Sequence, residues 1–290
     1  MFFSLQGLSF FLPILLGLAV ILAWSPKWRM WSLGFLSAAV ALSFYLGLVK
    51  LPGLLALVGG ALLIYTYYVY AFHPFLKVGL GIAITVLTML MYMHWAPGFH
   101  NWLLFNNLIF AADSVPFHFY LNLDKISMGL FFLIFGVPLC RNFKEWQQSF
   151  LAALVPLVLV VGILLILSMA LHYVRYNPKF PSITLMWCVL NLFFVVIIEE
   201  AFFRGFLQHQ LSLAFKKLPQ GTVFAIGLAA ILFGAIHYRG GPTYIALSTV
   251  AGCIYGYAYA RYPRLESAIL THFGLNLVHF FFFSYPALTF

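Results

Sequence analysis

Long apolar segments recur from one end of the chain to the other, and no other feature restricts its fold as strongly. Each is close to the length of a helix that crosses a lipid bilayer, which is about 20 residues. The sequence therefore predicts an all-α, polytopic membrane helix bundle with about ten transmembrane helices, within a range of about 8 to 11. The candidate spans are residues 8–24, 31–49, 52–72, 78–96, 126–140, 151–171, 182–200, 221–238, 242–260 and 265–283.

The composition excludes a soluble protein. Hydrophobic residues make up 64% of the chain and charged residues 7%, whereas soluble domains are about half apolar and about a quarter charged. The net charge is +9. The basic residues lie scattered, mostly one at a time, in the short connections between the spans, and this pattern orients membrane proteins and does not indicate nucleic-acid binding. Residues 99–124 are aromatic but interrupted by polar groups, which predicts an interfacial helix or a loop.

The two halves of the chain differ in their ionisable residues. Up to residue 150 the predicted spans contain almost none, apart from His94 at a helix end, whereas after residue 180 glutamate, arginine and histidine fall within or beside the spans. We therefore assign residues 1–150 to N-terminal membrane helices that act as a scaffold or substrate guide, and residues 151–290 to the helices that carry any chemistry. The three cysteines lie far apart in apolar segments and are interpreted as small packing residues.

Two adjacent glutamates, Glu199 and Glu200, interrupt the apolar run VVIIEEAFFRGFLQ at residues 195–208. A carboxylate placed in hydrocarbon without a partner costs at least about 2.5 kcal/mol. Glu200, Arg204 and Gln208 are four residues apart and share one helix face, so Glu200 and Arg204 are expected to pair. Glu199 points elsewhere and is predicted to be the carboxylate left to react. The alternative is that these residues form only a buried structural ion network.

His237 is predicted to lie at the same membrane depth as Glu199. Each is nineteen residues from Leu218, in the connection KKLPQG, whose proline and glycine are turn signals. A helical hairpin folded there would bring the carboxylate and the imidazole to the same level. Taken alone, a histidine at a helix end is more often a hydrogen-bonded bystander. Further along, His272 and Asn276 are four residues apart and share a face.

These polar motifs occur in an order that is characteristic of one family. They are Glu199-Glu200-x-x-x-Arg204, Phe233-x-x-x-His237 and His272-x-x-x-Asn276. Together they resemble the signature motifs of the CAAX prenyl protease-like family of intramembrane proteases, the CPBP or Abi group. The resemblance covers roughly residues 180–285 and includes a helix with Gly252 and Gly256, spaced for close helix packing. Since residues 1–150 match no known pattern, the resemblance does not identify the substrate.

The resemblance implies a glutamate-dependent peptidase. Glu199, assisted by His237, would hold and deprotonate a water molecule that attacks a peptide carbonyl. His272 and Asn276 would donate hydrogen bonds to the developing oxyanion.

The remaining motif residues would support this site. Glu200 and Arg204 would orient it, and Phe233 would pack beneath His237. The implied partners are a membrane-embedded or lipid-anchored protein or peptide substrate and the lipid bilayer, with no nucleic acid. The implied location is the inner (plasma) membrane of a bacterium or archaeon, as a multi-pass protein.

The main alternative to a metal-free peptidase is a zinc-dependent one. Glu199, His237 and His272 would supply one carboxylate and two imidazoles with an open fourth position, as catalytic zinc sites do. Against zinc, the HExxH helix of zinc proteases is missing, and Asn276 suits an oxyanion contact better than a zinc ligand. We therefore expect no cofactor, with zinc as the alternative.

Two further classes of function compete with a protease. Intramembrane glutamate, arginine and histidine also occur in the proton relays of transporters, but here they cluster in three neighbouring segments and do not line a path through the whole bundle. The other class is a non-catalytic scaffold or immunity protein, against which the complete set of motif residues argues.

Overall fold

The computed structural model describes residues 5–289, and within them the chain is mostly helical. Two of its elements are strands, and a short 3₁₀ turn, Tyr238–Gly240, separates two of the helices. The helices are α1 Leu5–Ser9, α2 Phe11–Ala23, α3 Arg29–Tyr45, α4 Leu51–Val69, α5 Pro74–Tyr92, α6 Leu123–Phe135, α7 Phe143–Ala170, α8 Thr184–Ala214, α9 Gly221–Ala235, α10 Gly241–Arg261 and α11 Leu265–Phe282. The strands are β1 Trp102–Leu108 and β2 Phe117–Leu121.

Each of the ten predicted apolar segments coincides with one helix, from α2 to α11, and the predicted all-α membrane bundle is confirmed. Among residues 5–289, five helices are long and apolar enough to cross a bilayer, namely α4, α5, α7, α8 and α11. A sixth span results if α9 and α10, which meet at a bend of 62°, are counted as one broken span. The other helices are shorter than a full span.

Residues 99–124 differ from the prediction of an interfacial helix or loop. Their core is a two-stranded sheet of β1 and β2. In β2 burial alternates along the strand, with Phe117, Phe119 and Leu121 buried and the residues between them exposed. This period of two is expected of a strand with one buried face. The side chains on the buried face of β2 are mainly aromatic.

The chain divides into two compact units. Within the described residues, the first consists of residues 5–102 and 120–137, and the second of residues 103–119 and 138–289. The first unit is built around α6, which is buried along almost its whole length because helices of this unit pack against several of its faces. The predicted functional division at residue 150 remains a prediction.

The start of α6 carries the polar core of the first unit. Asp124 is fully buried, and His94 Nδ1 lies 2.7 Å from its Oδ2. Asn101 Nδ2 donates to the same carboxylate, at 3.2 Å to Oδ1, and Asn101 Oδ1 accepts the Leu123 N–H at 3.0 Å. These bonds satisfy a buried acid and tie the end of α5 to the start of α6.

The second unit contains α7 to α11 and most of the two strands, without Trp102 of β1 and without the last two residues of β2. Helix α7 begins at an ordinary cap, since the Asn142 side chain accepts the Glu145 N–H at 3.0 Å. Helices α9 and α10 pack closely, and a Cβ on Gly252 would lie 3.1 Å from the Ala230 Cα. The predicted role of Gly252 in close helix packing is therefore confirmed.

Candidate active site

Helix α8 carries the adjacent glutamates at an irregular point of its backbone. It widens into π-helical stretches at Leu192–Val196 and Ala201–Gln208, with Glu199 and Glu200 on the short α-helical segment between them. Such π-helical turns occur frequently at functional sites. Both glutamates are buried, with 2% and 0% of their surface exposed, although neighbouring residues on a helix point about 100° apart. The second unit thus surrounds this part of α8 on more than one side.

The predicted pair of Glu200 and Arg204 is present. Arg204 Nε lies 3.2 Å from Glu200 Oε2, and Arg204 Nη1 donates to Glu200 Oε1 at 3.3 Å; neither side chain is exposed. Arg204 Nη2 also donates to the Gly252 carbonyl oxygen at 2.9 Å. The guanidinium carbon lies 4.7 Å from the centre of the Phe233 ring, a cation–π contact. The carboxylate of Glu200, the carbonyl of Gly252 and the ring of Phe233 therefore stabilise the buried guanidinium in place of water.

Gln208 continues the predicted polar stripe one turn further along α8. Its Nε2 donates to the Gly256 carbonyl oxygen at 2.9 Å, which repeats the contact of Arg204 with Gly252 one turn earlier. A Cβ on Gly256 would lie 2.7 Å from Gln208 Oε1. Glycine at this position therefore allows a buried side chain to reach the backbone of α10.

His272 joins the two glutamates, a connection that the sequence did not predict. Its Nδ1 lies 2.8 Å from Glu200 Oε1, and its Nε2 lies 4.0 Å from Glu199 Oε2. Because Glu200 is paired with Arg204 and accepts hydrogen bonds as a carboxylate, Nδ1 is the donor in this contact. Nε2 is thereby directed towards Glu199.

Tyr255 is a second contact of His272 that the sequence did not predict. Its ring stacks on the imidazole with centroids 4.3 Å apart and planes 16° apart. Tyr255 lies directly beside Gly256. A large side chain next to a glycine in a closely packed helix fills the space that the glycine leaves, and this pattern could have identified it from the sequence.

His237 lies at the break between α9 and α10. Its Nδ1 lies 2.8 Å from the Phe233 carbonyl oxygen, which is an acceptor, so this nitrogen carries the proton. The Phe233 ring lies 4.9 Å from the His237 ring and 5.8 Å from the His272 ring. Phe233 therefore packs against His237, as predicted, and against the second imidazole as well.

Asn276 is positioned by a residue that the sequence analysis did not identify. Its Nδ2 donates to the side-chain oxygen of Asn191 at 3.1 Å, and Asn191 is buried on α8, two turns before Glu199. A lone asparagine in an apolar helix was the available signal. An amide has a second N–H, so Asn276 retains a donor after this contact.

The structure brings the predicted residues to one cavity of about 100 Å³. His237, His272 and Asn276 are among the residues that line it, together with Tyr255. Glu199 adjoins it through His272. Helices α9 and α11 contribute motif residues to the lining, and the remainder comes largely from α7 and α10, while α8 contributes no lining residue.

The alternative zinc set consists of Glu199, His237 and His272. Among residues 5–289 no group of three or more histidine, cysteine, aspartate or glutamate side chains is placed to hold a metal ion. The contacts of His272 Nδ1 with Glu200 and of His237 Nδ1 with a backbone carbonyl do not distinguish the two alternatives, because zinc-binding histidines make the same contacts through the nitrogen that does not bind the metal. The expectation of a metal-free site remains a proposal.

A membrane helix bundle with histidine and asparagine side chains at one cavity, and a buried glutamate beside them, has the make-up of an intramembrane hydrolase. Residues 181–278 match the family described as type II CAAX prenyl endopeptidase Rce1-like. This match, which contains all three motifs, confirms the resemblance to the CAAX prenyl protease-like family. The matched region is thus similar to CAAX-type intramembrane peptidases, a family that acts on membrane-associated proteins, and the long apolar helices indicate an integral membrane protein. Comparisons with curated proteins and with solved structures gave no match.

Proposed function

We propose that the protein is a metal-free endopeptidase that hydrolyses a peptide bond of a membrane-embedded or lipid-anchored protein or peptide, with Glu199 as the general base. The observation that carries this proposal is the separation of 4.0 Å between Glu199 Oε2 and His272 Nε2, two buried groups beside one cavity. The proposed location is the inner (plasma) membrane of a bacterium or archaeon.

The gap between these two atoms is too long for a direct hydrogen bond. In the proposed mechanism the attacking water lies beside Glu199 Oε2, and the substrate oxygen lies at His272 Nε2. Glu199 takes a proton from this water as its oxygen attacks the peptide carbonyl. The same carboxyl group then returns the proton to the leaving amine, so the proton balance closes over one turnover. His237, which lines the same cavity, assists Glu199 in holding the water.

The position of His272 supports a role at the oxyanion. Its ring lines the cavity beside Glu199 and is held by Glu200 and by the stacked Tyr255. In this role Nδ1–H donates to Glu200 and Nε2–H donates to the substrate oxygen. The second N–H of Asn276 is the other proposed donor.

The test is to identify new protein N-termini in membranes from cells that make either the wild-type protein or Glu199→Gln. Peptides that span the cleavage sites found in this way then serve as substrates for the purified protein. We expect Glu199→Gln to insert normally, to keep its thermal stability and to lose cleavage, because glutamine has nearly the same shape but cannot accept the proton. Glu145→Gln, which changes an acid paired with Arg264 near the surface, is the matched control and is expected to cleave.

Three outcomes would contradict the proposal. Cleavage by Glu199→Gln at the wild-type rate would remove Glu199 as the base. Stoichiometric zinc in active protein, with activity lost on chelation and restored by zinc, would replace the metal-free mechanism. Identical N-termini in both membranes, with no cleavage by the purified wild-type protein, would favour a non-catalytic scaffold.

A further inference from the structure

The first unit contains an apolar groove that the proposed peptidase site does not use. Helices α3 and α4 form its walls, Phe131 of α6 forms its floor, and its volume is about 420 Å³. All the residues that line it are apolar except Ser37. Leu36, Leu57 and Phe131 are almost completely buried, with 1%, 2% and 5% of their surface exposed. The groove is therefore part of the packed unit and not a gap at its edge.

The groove exists because α3 and α4 each pack on α6 and contact each other little. Where they diverge, small residues such as Ala41 and Ala61 face the space. Phe44 and Val58 form part of the rim and are 46% and 51% exposed. The groove is thus open along its side, towards the surroundings of the helices.

The length of the groove matches one leaflet of a bilayer. The lining residues extend from Leu33 to Phe44 on α3 and from Leu54 to Ala61 on α4, which at about 1.5 Å per residue corresponds to about 17 Å and about 10 Å. One leaflet of hydrocarbon is about 15 Å deep, whereas a partner helix that crosses the bilayer needs about 30 Å. A single acyl chain fits this length better than a transmembrane helix does.

A cation lies at one end of the groove. Lys50 is the exposed residue immediately before α4, one turn before Leu54. The first unit has five lysine and arginine residues but only one acidic residue, Asp124, and that carboxylate is buried against His94. An anionic headgroup at the level of Lys50 would supply the charge that this unit lacks.

We propose that this groove binds one acyl chain of an anionic phospholipid, whose headgroup phosphate lies at Lys50. The acyl chain covers the apolar floor formed by Leu36, Leu57 and Phe131, and the lysine selects the headgroup. This site does not depend on the proposed peptidase function, because it involves none of the motif residues.

The test measures lipid retention. Wild-type protein is reconstituted in vesicles of equal parts phosphatidylglycerol and phosphatidylcholine, extracted in mild detergent, and analysed by native mass spectrometry. We expect one retained phospholipid per chain, with phosphatidylglycerol preferred by about fivefold, the effect of one lysine beside an anionic lipid. Lys50→Gln should retain a lipid without this preference, whereas Lys27→Gln, in another connection of the same unit, should keep it.

A second pair of variants tests the groove itself. Ala41→Phe fills it and should lower lipid retention by about tenfold, while Ala38→Phe, at an exposed position of α3 that does not line the groove, should retain the lipid. Ala61→Phe fills it from the other wall if Ala41→Phe does not fold. The proposal is overturned if the filled variants retain lipid as the wild type does, if the two lipids are retained equally by wild-type protein, or if no lipid is retained. A wild-type dimer that dissociates when the groove is filled would instead identify a second copy of the chain as its occupant.

Discussion

Removal of Arg204 tests whether the buried ion cluster is organised as the structure shows. In Arg204→Ala, Glu200 keeps its contact with His272 but loses its arginine partner, and the Gly252 carbonyl loses a donor. Both members of the pair have no exposed surface, so Glu200 becomes a poorly compensated charge in a dry environment. Breaking a buried pair from one side costs about 3–5 kcal/mol.

This free energy converts into a change of melting temperature that is easy to measure. For a unit of this size, one kcal/mol shifts the melting temperature by about 2–4 °C. Arg204→Ala should therefore melt about 6–20 °C below the wild type in the same detergent. The assay is thermal unfolding of the purified protein, followed by intrinsic fluorescence.

Two controls distinguish the loss of the buried ion pair from a general loss of stability on substitution. Arg264 pairs with Glu145 at 3.3 Å, but the two side chains are 30% and 19% exposed. Loss of such a pair costs about 0–1 kcal/mol, so Arg264→Ala should shift the melting temperature by less than about 4 °C. The double variant Glu200→Leu with Arg204→Met removes both charges and should recover most of the stability that Arg204→Ala loses. A melting temperature of Arg204→Ala equal to that of the wild type would refute the buried pair.

Two other variants address the oxyanion and the packing of α10. Asn276→Ala should lower kcat by about 10²–10³ with little change in KM, because its proposed contact forms only in the transition state; steady-state kinetics on a mapped peptide measures this, and an unchanged kcat would remove Asn276 from the oxyanion site. Gly256→Ala should lose about 1–3 kcal/mol of stability, because its Cβ would lie 2.7 Å from Gln208 Oε1. Gly227→Ala on α9, where a Cβ meets no atom within 4 Å, should gain up to about 1 kcal/mol from helix propensity. Equal effects of the two glycine substitutions in thermal unfolding would contradict the close contact.

The existence and order of the helices were predictable from the sequence. A bilayer core provides no water for backbone groups, so an apolar segment near 20 residues must become a helix wherever it lies. Each predicted segment from α2 to α11 is accordingly a helix. The hairpin of β1 and β2 was not predictable in this way, since residues 99–124 contain no such segment and their pairing depends on which aromatic residues find a covered face.

The candidate site was predictable in part. The pair of Glu200 and Arg204 follows from helix spacing alone, and the three motifs identified the residues whose side chains meet. Helix spacing does not predict the contact between His272 and Glu200, which joins residues 72 positions apart. Nor does it indicate that Asn191 would hold Asn276, or that α8 would widen beside Glu199.

The sequence by itself determined that this chain is a membrane helix bundle and which rare polar residues must find partners inside it. Hydropathy and helical spacing act locally, within a few turns, so they suffice for both conclusions. Only the tertiary structure decided which partners those residues have, because the lateral order of helices around α8 depends on side-chain packing between distant segments. The imidazole of His272 lies between two carboxylates for that reason.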